Sequence, residues 1–142
     1  MRFLLLNQYY APDVAPTGQV LADVARTLAA RGHEVEVLVS RARYDGGDPL
    51  PAREERDGVR VRRLPAPRLG SGLFGRLWQQ SVFLSALTAA LARTRRADLV
   101  LCLTTRPYLG LVARAMANLR GAQHAHWVMD VYPDALAAHG WL

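Results

Sequence analysis

The sequence predicts an α/β domain with a parallel sheet of about five strands, in the order 3-2-1-4-5, and helices on both faces. Three observations carry this. Short apolar runs alternate with helix-length amphipathic segments along the whole chain, the pattern of right-handed strand-helix-strand crossovers. The first run, Phe3–Leu6, and the fourth, Asp98–Leu103 after its leading acid, are continuously apolar, as strands covered on both faces must be. Gly or Pro punctuates the junctions at Gly32, Asp57-Gly58, Pro65 to Gly72, Pro107 and Gly121.

The elements follow in order. Phe3–Leu6 is the first strand, and from Thr17 the period changes. Val20, Leu21, Val24, Ala25 and Leu28 form one helical stripe, with Thr17 as a candidate N-cap and Gly32 as the stop. His33–Ser40 is the second strand, where Val35, Val37 and Val39 alternate with Glu34, Glu36 and Leu38. Residues 41–51 have no periodicity and read as a surface loop. A turn at Asp57-Gly58 precedes a third strand, Val59–Leu64, whose alternation of apolar residues with Arg predicts an edge strand with one wet face. Pro65, Pro67, Gly70 and Gly72 break the chain before a long helix over Leu73–Arg95, with Leu73, Leu77, Leu84, Leu87 and Leu91 on one side. Pro107 opens a helix ending near Arg120-Gly121, His124–Met129 is the fifth strand, and Pro133–Ala138 starts a further helix. No repeat, low-complexity tract or linker divides residues 1–142, which read as one domain.

Composition narrows the function classes. Hydrophobic residues are 51 % and charged ones 21 % of 142 residues, a globular balance. The basic side is all Arg, 18 against 12 acids, for a net charge of +6, which favours phosphate-rich partners. Cys102 is the one cysteine; it reads as an inert core thiol, excludes an intrachain disulfide and fits a reducing, cytoplasmic setting. The N-terminus does not read as a signal peptide. The sixteen residues between Arg76 and Arg93 include two Gln, two Ser and a Thr, so no span of about twenty apolar residues is expected.

In such a sheet ligands bind at the carboxyl ends of the strands beside the switch between the first and fourth. That selects three segments. The first, Asn7 to Gly18, is longer than the roughly two to six residues usual for a strand-to-helix connection, and excess length there serves binding. Gly18, in the helix's first turn beside Thr17, lets a phosphate or sugar hydroxyl reach the backbone, or merely suits a tight entry turn. Tyr9 and Tyr10 are placed to line such a pocket, or one of them to anchor the core. The second segment, Thr104-Thr105-Arg106-Pro107, offers two hydroxyls and a cation for charge-assisted bonds, or a helix cap and a solvated Arg. The third, Asp130 to Asp134, sets a carboxylate at the sheet's edge, where Asp130 orients a sugar hydroxyl or acts as a base; Asp134 reads as a first-turn acid. His124 and His126 share a strand face without a third ligand, so no metal is expected.

The stretches "NQYYAPDVAPTGQVLADVARTLAARGHEVEVLVSR", "DGVRVRRLP", "DLVLCLTTRPYLGLVARAMA" and "WVMDVYPDALAAHGWL" resemble the N-terminal domain of GT-B glycosyltransferases of family 4, closest to those that build bacterial surface polysaccharides. The resemblance runs over nearly the whole chain, and the Asp130-Val131-Tyr132-Pro133-Asp134 element narrows it. It implies a Rossmann-like domain facing a second one across a cleft. The N-terminal domain holds the acceptor, often a lipid-linked sugar; the C-terminal one holds the nucleotide sugar and a pair of glutamates eight positions apart. By resemblance Gly18 matches the glycine that approaches the donor diphosphate. Asp130 matches the cleft-facing polar position, with Tyr132 in the same element. Transfer is expected to be retaining, metal-independent and without a cofactor.

The chain departs from that pattern in its acids. Its glutamates are Glu34, Glu36, Glu54 and Glu55, and no two lie eight apart. No D-x-D motif or second set of strands is present, so the 142 residues read as an N-terminal part that would not turn over substrate alone. A self-associating dimer covering the unfinished sheet is the expectation.

Two other classes were weighed. A dinucleotide-binding oxidoreductase needs G-x-G-x-x-G after the first strand, and neither that nor a P-loop is present. A non-catalytic flavodoxin-like module binding a phosphate-containing ligand or a protein stays as the alternative; no nucleic-acid partner is expected. Residues 68–78 join Arg68 and Arg76 to Leu69, Leu73, Phe74, Leu77 and Trp78. That mixture suits a helix start lying on an anionic membrane surface at the inner face of the cell membrane, though the same leucines equally suit core packing.

Overall fold

A computed structural model describes residues 1–67, 72–103 and 107–129. The elements are β1 (Arg2–Leu6), α1 (Pro16–Ala30), β2 (Glu34–Ser40), β3 (Arg53–Arg56), β4 (Val59–Leu64), α2 (Leu73–Arg93), β5 (Leu99–Leu103), α3 (Pro107–Leu119) and β6 (Gln123–Trp127). One sheet runs β3-β4-β2-β1-β5-β6. The five parallel strands take the predicted order, with the switch between β1 and β5. The elements predicted after residue 129 lie outside the described residues.

The difference is β3. Arg53–Arg56 pairs antiparallel with β4 through the Asp57-Gly58 turn, where both residues have positive φ, 53° and 75°, as a two-residue hairpin requires. β3 therefore takes the edge that the sequence assigned to Val59–Leu64. With a neighbour on each side, Val59 and Val61 are fully buried.

The pleat gives the sheet two cores. Leu5, Val35, Val37, Val39, Val59, Val61 and Leu103 face α1, meeting Leu21, Ala22 and Ala25. Leu4, Leu6, Leu38, Leu64, Val100 and Cys102 face α2 and α3, meeting Phe83, Leu87, Leu91, Leu109 and Ala113. Cys102 is fully buried in this second layer, and burial pushes its thiol pKa up to about 12, which keeps it a protonated, inert packing group.

Two helix details differ from expectation. α1 starts at Pro16, with Ala15 at the N-cap and no side-chain cap, so Thr17 lies within the first turn and does not cap it. At the other end Gly32 adopts φ +81°. Its N–H donates to the Ala29 carbonyl at 2.9 Å and the N–H of His33 to that of Leu28 at 3.2 Å, the paired closure that a left-handed residue allows. In α2 the buried side chains are Phe83, Leu87, Ala90 and Leu91, whereas Leu73 and Leu77 are exposed; these two leave the predicted core stripe.

On the α2 face Glu36 is buried rather than wet. Arg2 donates to both Glu34 and Glu36 at 2.7 Å, and Arg62 reaches Glu36 at 3.0 Å. Arg60 completes the cluster on Glu34. Buried acids persist only when paired in this way.

Candidate functional site

The strand registers bring the relevant tips together. Leu6 of β1 lies opposite Leu38 of β2 and Cys102 of β5, and Leu103 lies opposite Trp127 of β6. The segments following β1, β5 and β6 thus leave one edge of the sheet, as the switch-point rule demands. Thr104, Thr105, Arg106, Asp130, Tyr132 and Asp134 lie outside the described residues.

The long first loop is held from several directions. Asn7, fully buried, donates from Nδ2 to the Tyr9 carbonyl at 2.9 Å, and the Asp13 N–H donates to the Tyr10 carbonyl at 3.2 Å. Arg63, reaching up from β4, donates from Nη2 to the Ala11 carbonyl at 2.7 Å. Asp13 is 3 % exposed and accepts the Tyr44 N–H at 2.8 Å, tying this loop to the one after β2. Tyr9 packs edge-on against Tyr44, ring centroids 5.5 Å apart.

Gly18 sits beneath this loop. A Cβ there would stand 3.1 Å from Tyr10 N and Tyr9 C and 3.2 Å from Tyr10 Cα, and the Gly18 N–H already donates to the Ala15 carbonyl at 2.9 Å. The bare position thus lets α1 abut the loop's own backbone. The sequence reading offered a phosphate approach or a tight entry turn; packing of loop on helix is the reason visible in the coordinates.

The two tyrosines separate. Tyr9 is half-buried at the rim, its hydroxyl oxygen accepting from Gln8 Nε2 at 2.9 Å. Tyr10 is 1 % exposed and belongs to the core against α1. Burial, with Asp57 nearby, pushes its phenol up to about 12. Tyr10 is therefore corrected from a pocket-lining residue to a core anchor; only Tyr9 faces the rim.

Sequence reading missed a crevice beside the β1 tip. Gln8, Ser40, Gln79, Gln80 and Tyr108 line it with Ala66 and Phe83. Its backbone is fixed by the Ser40 N–H, which donates to the Gln8 carbonyl at 2.9 Å, and by Gln79 Nε2, which donates to the Ala66 carbonyl at 3.0 Å. The space is narrow, about 10 Å³, room for no more than one water, so these amides and hydroxyls tie the rim together rather than take in a sugar. The available signal was Gln79-Gln80, two amides in an otherwise apolar stretch. Next to it an apolar groove of about 380 Å³ runs between Arg41, Ala42, Gly47 and Pro49 on one side and Pro65, Ala66 and Pro67 on the other.

His124 and His126 share the α3-facing side of β6, rings 6.1 Å apart. Among the described residues no group of three His, Cys, Asp or Glu side chains is placed to hold a metal ion. Burial first, then the charges of His126 and Arg114, lowers the His124 pKa from 6.5. A lowered histidine is neutral in the fold and protonates first in the unfolded chain. Its contribution is whole above pH 6.5 and declines as pH falls from 6.5 through the folded value. Chemical denaturation on either side of that value should therefore show wild-type stability dropping on acidification, and a smaller drop in His124→Asn.

The fold is a Rossmann-like α/β sheet of GT-B type. The chain belongs to the glycosyl transferase 4-like domain family, whose model matches residues 17–142. Among solved structures it is similar to sucrose-phosphate synthase from Thermosynechococcus elongatus, at 15 % identity and TM-score 0.68, over 96 % of this chain and 35 % of that one. A ugt transferase from Siraitia grosvenorii in complex with UDP aligns at 15 % identity and TM-score 0.49, over 89 % of this chain and 28 % of that one. The chain thus spans about a third of the length of the solved proteins it resembles. Comparison with curated proteins finds no sequence match.

Proposed function

We propose that this domain is the acceptor-holding half of a glycosyltransferase that moves a sugar from a nucleotide-sugar donor to a glycan, lipid-linked in surface-polysaccharide synthesis, at the cytoplasmic side of the membrane. The observation that carries the reading is the family match over residues 17–142 of a chain whose β1, β5 and β6 end side by side at one edge of the sheet. Tyr9 and Gln80, half-buried at that edge, offer a ring face and an amide to acceptor hydroxyls. Asp130, following β6, orients or deprotonates the attacking hydroxyl. Thr104, Thr105 and Arg106, following β5, hold phosphate or carboxylate oxygens. Thr17, in the first turn of α1, stands at the helix's positive end, which favours the donor diphosphate, and Tyr132 acts with Asp130.

Transfer is retaining and metal-independent in this reading, with the donor bound mainly outside these 142 residues. Glu34, Glu36 and Glu54 are engaged by Arg2, Arg60, Arg62, Arg56 and Arg63, so they serve the fold. These 142 residues alone are expected to bind without turnover.

Calorimetric titration with nucleotide sugars and with glycolipid acceptor analogues tests this. Acceptor binding should weaken about tenfold or more in Tyr9→Ala and Asp130→Ala, the loss of a hydrogen bond to a charged or buried partner. Unchanged binding in both variants would overturn the acceptor assignment and favour a surface binding module.

A further inference from the structure

We propose that the first two turns of α2 dock on an anionic membrane surface and bring the sheet's carboxyl edge against it. The proposal takes its acceptor from the reading above, while the docking surface stands on its own observations.

Leu73, Phe74, Leu77 and Trp78 are 74, 73, 53 and 47 % exposed. Positions i, i+1, i+4 and i+5 of a helix lie on one face, so the four form a single apolar patch. In this stretch only Gly75 is buried, and the core-facing side chains of α2 begin at Phe83. A folded domain has no internal use for four large apolar side chains held in water, and contiguous patches of this kind mark contact surfaces.

Charge selects the occupant. No Asp or Glu occurs between Asp57 and Asp98, so α2 itself presents no carboxylate. Arg76 is exposed within the apolar turns. An anionic headgroup layer meets no repelling carboxylate from this stretch, and large apolar side chains beside a cation enter the boundary between headgroups and acyl chains.

Position gives the docking its use. Gln79, directly after the patch, donates to the Ala66 carbonyl just beyond β4. The patch therefore leads into the rim that carries Tyr9 and Gln80. A lipid-linked acceptor would reach that rim with its chain still in the bilayer.

Sedimentation of the 142-residue chain with vesicles tests the proposal. One set is phosphatidylcholine alone, the other phosphatidylcholine and phosphatidylglycerol in equal amounts. Binding is expected to the second set only and to fall with added salt. The double variant Leu73→Ser, Phe74→Ser should bind on the order of tenfold or more weakly, and Arg76→Glu about tenfold more weakly. All three positions are exposed, so unfolding midpoints should stay at the wild-type value. Absent binding to anionic vesicles, equal binding to both sets, or wild-type binding by the double variant would overturn it. Lost vesicle binding with intact acceptor titration rejects the docking alone; intact vesicle binding with no acceptor affinity rejects the acceptor reading instead.

Discussion

Gly18→Ala is expected to destabilise the fold by about 1–3 kcal/mol, the usual cost of forcing one carbon into a filled space. Alanine would ordinarily help inside a helix, by up to about 1 kcal/mol over glycine. Space decides against it here. The new methyl would meet Tyr10 N, Tyr9 C and Tyr10 Cα at 3.1–3.2 Å, all backbone atoms, which cannot swing aside as a flexible side-chain end can. The loop that carries them is held by Asn7, by Arg63 and by the Asp13 bond to Tyr44. Relief therefore requires the loop and α1 to separate. Urea denaturation of the variant reads the stability directly, and donor titration reads the site. A stable Gly18→Ala that has lost only nucleotide-sugar affinity would show that the glycine serves the ligand, and the packing account would fail.

Strand order and most helix bounds could be read from sequence because apolar periodicity reports which face is buried. Phe3–Leu6, Val35–Val39 and the α1 stripe are governed by that one signal, and the coordinates follow it. It failed where another interaction dominates. Arg53–Arg56 has no apolar residue to alternate, so β3 was invisible; its place depends on hairpin geometry at Asp57-Gly58 and on ion pairs such as Glu54 with Arg63. The burial of Glu36 was not legible, because a sequence does not reveal that Arg2, far away in the chain, will reach it. Leu73 and Leu77 match the helical period but lie where α2 runs past the sheet, so period without coverage misled. In the site, the switch point and the long first loop were legible, whereas the fates of Tyr9 and Tyr10 depended on a single residue of phase. The Gln8, Ser40 and Gln79 crevice joins three distant segments, and only the folded chain brings them together.

Arg63→Ala is the substitution expected to cost most, about 3–5 kcal/mol, as when one partner of a buried pair is removed. The Arg63 side chain is fully buried and its guanidinium meets both oxygens of Glu54, at 3.0 and 3.1 Å, and the Ala11 carbonyl at 2.7 Å. Truncation leaves the carbonyl without its Arg63 donor and the acid with Arg56 alone. Arg56 also reaches Glu54, at 3.1 Å, but its side chain is 41 % exposed, so Arg56→Ala should cost no more than about 1 kcal/mol. The contrast separates a buried tie from a solvated one on the same carboxylate. Proton linkage supplies an independent readout. Burial raises the Glu54 pKa, yet hydrogen bonds and charge from Arg63 and Arg56 outweigh it and leave the group below its ordinary 4.5. A lowered carboxylate stabilises fully above pH 4.5, and that share disappears as pH falls through the folded value. Without Arg63 the larger of the two lowering partners is gone, so the acid-side loss should shrink in Arg63→Ala more than in Arg56→Ala. Arg63 also holds the Ala11 carbonyl, so the first loop should loosen with it, and acceptor affinity should fall further than in Arg56→Ala. Equal denaturation midpoints for the two variants would show that the buried guanidinium does not hold the loop to the sheet.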